Sequence, residues 1–309
     1  MSKGPVLTSG IHLPNYGKYW SDLDLGASAQ LVEEVGFGSV WLSDHVVLVE
    51  DARSHYPFSL DGKFFLAPDQ DWLDWVTTAS YLAARTTKID IGVAVCVLPL
   101  RNPLVLAKQV ATIDQLSGGR IRLGVGAGWL KEEFEAVGQV FSQRGRALDG
   151  GIQILQQAWT GSPEPGTYGI YELPPGVRCY PMPKQSPLPL YVGGTSQAAF
   201  RRVAEYATGW YGTAPGGRMD PGEVEAAVAS INQQCERFHR DTTEIDIALR
   251  VAVAAKELGT AELRETLLTY VRAGVTRFSF DVGWRPEIDM GARLEALMNT
   301  FSTVCDATT

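Results

Sequence analysis

The chain has 309 residues, a mass of 33.6 kDa and 27 Lys+Arg against 35 Asp+Glu, which gives a formal net charge of −8 and a pI near 5.1. That balance argues against nucleic acid or an anionic membrane as the main partner and points to a small molecule. A chain of this length buries roughly three quarters of its unfolded surface and needs no disulfide or metal staple. The four cysteines, Cys96, Cys179, Cys235 and Cys305, are dispersed without a CxxC pair, so neither a zinc site nor a disulfide framework is expected. The N-terminus lacks a basic segment followed by an apolar stretch, and no run of eighteen apolar residues occurs. A cytoplasmic protein is the expectation.

Short apolar runs rich in β-branched residues alternate with amphipathic helical patterns along the whole chain. Strands are predicted over 5–11, 38–43, 88–97, 120–126, 188–193, 209–212, 245–254 and 276–282. The helical period appears in Leu25, Ala29 and Val32; in Leu106, Val110 and Ile113; in Phe200, Val203, Ala204 and Ala207; and in Leu263, Leu267 and Tyr270. Asp22 and Thr260 read as N-caps, Asn102-Pro103 as a cap followed by a first helical residue, and Gly118-Gly119 as a helix stop. Eight strands, each followed by a helix, predict an α/β fold: a (β/α)8 TIM barrel, one domain over 1–309. Two stretches exceed the regular unit: 46–69 after strand two, which is aromatic, and 161–187 between helix four and strand five, which is crowded with Pro and Gly. Both read as inserted loops, and the first belongs to the C-terminal rim, where barrels of this kind keep their active sites.

Chemistry-bearing residues are few. Of the four histidines, His12 and His45 fall just after strands one and two. Adjacent strands lie about 4.8 Å apart, so both imidazoles can face one rim pocket, or each can hold its own loop. His55 lies in the aromatic loop and either lines a substrate pocket or is solvated; His239 ends a helix. No HExxH, no HxH on strand one and no carboxylate cluster suggests a metal, and no GxSxG elbow suggests covalent catalysis. A protein with so few reactive groups points to a bound organic cofactor.

Two glycine clusters suit such a cofactor. Gly193-Gly194-Thr195 ends strand five where a helix begins, so backbone N–H groups, a helix dipole and a hydroxyl converge; a phosphate site and a plain βα turn capped by Thr195 both fit. In Gly124-Val125-Gly126-Ala127-Gly128-Trp129 the third glycine comes one place too early for a dinucleotide fingerprint. Small residues at Gly126, Ala127 and Gly128 would instead let a flat ring approach the backbone, with Trp129 as a wall, or let the barrel taper.

On these residues the chain resembles the luciferase-like monooxygenase superfamily, and within it the oxidoreductases that use the deazaflavin coenzyme F420. The matching pieces are Glu33 to Trp41 with Ser43-Asp44-His45, Asn102-Pro103 through Ser117 to Arg120, GVGAGW with Glu132-Glu133-Phe134 and Gly138, Arg144, and YVGGTS at 191–196. The resemblance implies a ring system over strands two to four, held by His12, Asp44, Gly126, Ala127 and Gly128, with a distorted bulge at the end of strand three around Cys96 and Val97. It implies a phosphate end at Gly193, Gly194 and Thr195, and His45 beside the reactive face as catalytic proton donor or orienting group. Trp129, His55 and Phe64 are the expected substrate contacts. Trp129 stands where sugar-phosphate and secondary-alcohol dehydrogenases of the group carry a glutamate, so reduction of an activated C=C, C=N or carbonyl is expected. Gly150-Gly151 departs from an acidic residue common in helix four. The alternatives are an FMN-dependent monooxygenase using oxygen and flavin from a separate reductase, and a non-catalytic flavin-binding protein. A homodimer is a further implication.

Overall fold

The computed structural model describes residues 6–308. Eight parallel strands close a barrel: β1 (Thr8–His12), β2 (Ser39–Leu42), β3 (Asp90–Val97), β4 (Ile121–Gly126), β7 (Leu190–Gly193), β8 (Gly209–Gly212), β9 (Asp246–Ala252) and β10 (Arg277–Asp281), with β10 pairing back to β1. Helices α1 (Leu25–Val35), α2 (Trp75–Arg85), α3 (Pro103–Ser117), α5 (Arg144–Ala158), α6 (Gln197–Tyr206), α7 (Pro221–Arg237), α8 (Ala261–Arg272) and α9 (Met290–Asp306) form the outer layer. A short α4 (Lys131–Ala136) lies between β4 and α5. The (β/α)8 barrel expected from the alternation is the fold observed, and its eight strands fall on the eight predicted runs.

Local sequence explains the boundaries. Asn102 Oδ1 accepts from the backbone N–H groups of Leu104 and Val105 ahead of Pro103, and Gly118 closes α3 in the left-handed region at φ 81°. Thr260 caps α8 as predicted. The α1 cap is Asp24, whose Oδ1 accepts from Ala27 N–H, and not Asp22, which lies in a preceding 3₁₀ turn. Both residues are aspartates with equal cap propensity, so composition alone does not choose between them. The stretch 46–69 carries no helix or strand, while 161–187 contains a hairpin, β5 (Gly166–Tyr168) and β6 (Tyr171–Leu173).

Inside the barrel, side chains from alternate strand positions interlock. Trp41, Tyr191, Tyr211 and Ala248 form a buried cluster at mid-height. Glycines make the room: a Cβ on Gly92 would lie 2.3 Å from the Trp41 ring, and one on Gly10 2.1 Å from Ser39 Oγ. Toward the N-terminal end the interior turns polar, with Arg122 on Asp90 at 2.6 Å and Arg277 on Asp246 at 3.1 Å. Tyr211 of the mid-height cluster also lines the cavity at the C-terminal rim.

Gly150, where the resemblance implied an acidic residue, has a packing reason. A Cβ there would lie 2.1 Å from the Tyr168 carbonyl oxygen, because the β5–β6 hairpin docks backbone to backbone on α5. A main-chain carbonyl cannot swing aside as a side chain can. Gly150→Ala is therefore expected to destabilise by about 1–3 kcal/mol in denaturant unfolding. Gly145→Ala, on the same helix, meets only Arg202 at 3.5 Å and should be neutral or mildly stabilising. Equal effects at the two positions would contradict this packing.

Candidate active site

The C-terminal rim encloses a cavity of about 580 Å³, a size suited to a large cofactor and part of a substrate. Asp44, His45, Val97, Gly126, Ala127, Gly128, Trp129, Phe64, Gly193 and Gly194, all singled out in the sequence, line it. His12, Cys96, Thr195 and His55 do not.

The floor is made by β3. Its register with β4 shifts between Val93 and Cys96, and the Ala94–Val95 peptide bond is cis. The bulge thus lies two residues before the place the resemblance implied. Ala94 and Val95 face the cavity, while Cys96 is fully buried in the wall, where desolvation, then the neighbouring Asp44 charge, pushes its thiol up. The glycines expected to admit a ring serve Val95 first: a Cβ on Gly126 or Gly193 would approach the Val95 side chain to 2.6 or 2.9 Å. Val95 therefore stands over β4 and β7 as an apolar ledge. Gly128 is needed twice, for φ of 80° and because a Cβ would lie 2.6 Å from Val97.

Asp44 locks this floor. Its side chain is fully buried and accepts from Val97 N–H at 2.8 Å and from both Arg101 Nη atoms at 2.7 and 2.6 Å. Asn15, also fully buried, pins the end of β2 by accepting from Ser43 N–H and donating to Ser43 O, each at 2.9 Å. His45 is thereby fixed at the strand end.

His45 Nδ1 lies 2.9 Å from Glu133 Oε2. The other Glu133 oxygen accepts from Val46 N–H at 2.6 Å and from Val47 N–H at 3.3 Å. An ionised carboxylate only accepts, so Nδ1 carries the hydrogen and Nε2 is left for the cavity. Neighbouring Glu132 ties down the following stretch, accepting from Arg53 N–H at 2.9 Å and Ser54 Oγ–H at 2.6 Å. Two consecutive glutamates at the start of α4 thus hold the aromatic loop. Phe64 of that loop walls the imidazole together with Trp72 and Trp129, at centroid distances of 5.3, 4.6 and 5.9 Å from that of His45. Tyr56, whose phenol burial pushes up to about 12, packs on Trp129 at 4.9 Å. His55 turns outward and covers Gly62, where a Cβ would lie 2.2 Å from its Nδ1.

At the other end the cavity meets the start of α6. Ser196, not Thr195, caps that helix, accepting from Ala199 N–H at 3.2 Å; Thr195 is exposed and outside the lining. Gly194 adopts φ of 107°, and Arg202 reaches the lining from α6. Arg202 is held by Asp149 at 2.7 Å, and Asp149 sits one residue before the Gly150-Gly151 pair. Helix N–H groups, a left-handed glycine and a guanidinium make an anion-binding corner.

His12 lies against Tyr211, Nε2 to hydroxyl oxygen 2.9 Å, outside the lining of this cavity. Burial, then the Arg250 charge, holds its pKa well below the ordinary histidine value. Arg250 and Asp281, 2.5 Å apart, also reach the cavity.

A family model described as luciferase-like monooxygenase matches residues 23–295. The chain belongs to that family. An F420-dependent glucose-6-phosphate dehydrogenase of Amycolatopsis mediterranei is 32% identical to this family member over 188 residues, 60% of this chain and 50% of that enzyme. An uncharacterized protein of Mycobacterium tuberculosis is 31% identical over 205 residues, 66% of this chain and 69% of that protein. Among solved structures, an F420-dependent secondary alcohol dehydrogenase in complex with an F420–acetone adduct superposes with a TM-score of 0.76 at 16% identity, covering 97% of this chain and 99% of that one. The barrel is therefore that of an oxidoreductase family.

Glu133, Asn15, Arg101 and Arg202 carry much of the site and had no role assigned from sequence. The signal for Glu133 is its place in the Glu132-Glu133-Phe134 piece of the resemblance, which names no partner, and that partner lies 88 positions away.

Proposed function

We propose that this chain transfers a hydride between coenzyme F420 and an organic substrate, in the direction that reduces an activated C=C, C=N or carbonyl. The observation that carries the reading is the His45–Glu133 pair, one ring nitrogen engaged and the other left for an aromatic-walled cavity above the Val95 ledge. The residues fit the cofactor: an apolar ledge for a flat tricycle, and an anion-binding corner at Gly193, Gly194, Ser196 and Arg202 for a phosphorylated tail. Sequence likeness to an F420-dependent dehydrogenase supports the choice of deazaflavin.

When bound, the reduced deazaflavin supplies a hydride, one hydrogen nucleus with two electrons. The protein supplies the matching proton. His45 donates it from Nε2, and the Glu133 carboxylate orients the ring through Nδ1. Trp72, Phe64, Trp129 and Tyr56 exclude water and orient the substrate. Asp44 and Arg101 keep the ledge in place.

Titration of the purified protein with F420 and with FMN, read by fluorescence, tests this. F420 is expected to saturate, with FMN weaker by about tenfold or more, a difference of about 1.4 kcal/mol. Preferential FMN binding would transfer the site to a flavin monooxygenation. Tight binding without cofactor turnover over a broad panel of activated alkenes, imines and carbonyls would make the chain a flavin-binding protein.

A further inference from the structure

Beside the rim cavity lies a second one of about 480 Å³, between the loops after β1 and β10 and the aromatic loop. It shares Tyr16, Phe65 and Asp281 with the first, and the Tyr16–Phe65 ring pair, edge to face at 5.8 Å, stands where the two adjoin. Its walls are largely apolar and aromatic: Leu13, Tyr19, Leu66 and Trp284. At its inner end lies His12, 3% exposed, whose Nδ1 has no hydrogen-bond partner while Nε2 is engaged by Tyr211. An unpartnered buried ring nitrogen costs free energy unless something enters to meet it.

Charge sets the orientation of an occupant. Asp281, at the inner end, excludes a deep anion. The outer rim is cationic: Lys18 Nζ lies 4.9 Å and the Arg285 guanidinium 5.6 Å from the Tyr19 ring centroid, Arg285 being 3.9 Å from Glu287 as well. Neither tautomer of His12 matters to a hydroxyl, which donates or accepts.

We propose that this side chamber binds the non-reacting part of the substrate, an aromatic carboxylate, with its ring between the aromatic walls, a hydroxyl on His12 Nδ1 and the carboxylate at the Lys18 rim. The word substrate rests on the function proposed above; the binding itself does not.

The test is calorimetric titration of the protein, without cofactor, with 6-hydroxy-2-naphthoate. Saturable binding is expected, about three- to tenfold tighter than 2-naphthoate, as one hydrogen bond to a neutral group provides. Lys18→Glu, at an exposed position, should weaken it about five- to tenfold. Ala67→Trp, which fills this chamber alone, should abolish it; Ala127→Phe, in the other cavity, should leave it within twofold. No saturable binding, no advantage of the hydroxyl, or a loss in Ala127→Phe as large as in Ala67→Trp overturns the proposal. F420 titration of Ala67→Trp separates the two readings, since it should match the unsubstituted protein whatever the naphthoate does.

Discussion

His45→Ala is expected to slow substrate reduction by about 10²- to 10⁴-fold, the range a positioned general acid contributes, with cofactor affinity changed only a few-fold. The imidazole is the histidine that lines the cavity and keeps Nε2 without a protein partner; among the cavity carboxylates Asp44 is taken by Arg101, and Asp281 by Arg250. Glu133→Gln isolates the contribution of the pairing. The amide keeps the volume but replaces an oxygen pair that only accepts with a group that can turn a donor toward Nδ1, so the ring loses the partner that orients it. Turnover at neutral pH should fall about 10- to 100-fold, as loss of an orienting partner does elsewhere. A Glu133→Gln enzyme with unchanged turnover would reduce Glu133 to a loop staple. Turnover untouched in His45→Ala would remove the histidine from the mechanism.

Asp44→Ala should be the most destabilising single change in the site, by about 3–5 kcal/mol in denaturant unfolding. It strands the Arg101 guanidinium, only 14% exposed, and leaves Val97 N–H without its acceptor. Arg101 keeps only a distant contact, 3.9 Å, to Asp74. Replacing both partners with apolar residues of similar volume, Asp44→Leu with Arg101→Met, should recover much of that stability, because no buried charge then remains. Cofactor binding should not recover, since the floor beneath Val97 would have lost its tether. A double variant no more stable than Asp44→Ala would mean that the pair is not what stabilises the floor.

The barrel was legible because its signals are local. β-branched runs, caps such as Asn102 and Thr260, and stops such as Gly118 are each decided within a few residues. The positions of His45 and of the two glycine clusters followed from strand ends alone. What escaped was long-range. Glu133 meets His45, Arg101 meets Asp44 and Asn15 meets Ser43 across loops whose paths no periodicity encodes. The same holds for His55 and Phe64, close in sequence but on opposite sides of one loop: Phe64 packs on His45, and His55 covers Gly62. At Thr195 and Ser196, two adjacent hydroxyl residues compete for one cap, and the local pattern favours neither. The purpose of the glycines was legible in kind but not in object, since the space at Gly126 and Gly193 is taken by Val95, which the bulge turns toward them.

A crystal structure of the complex with F420 tests the central claim most directly. The tricycle should lie on Ala94 and Val95 with its reactive edge facing His45 Nε2, and the phosphate should contact the Gly194 backbone and the Arg202 guanidinium. Density for the tricycle outside the rim cavity, or a tail running away from the start of α6, would contradict it.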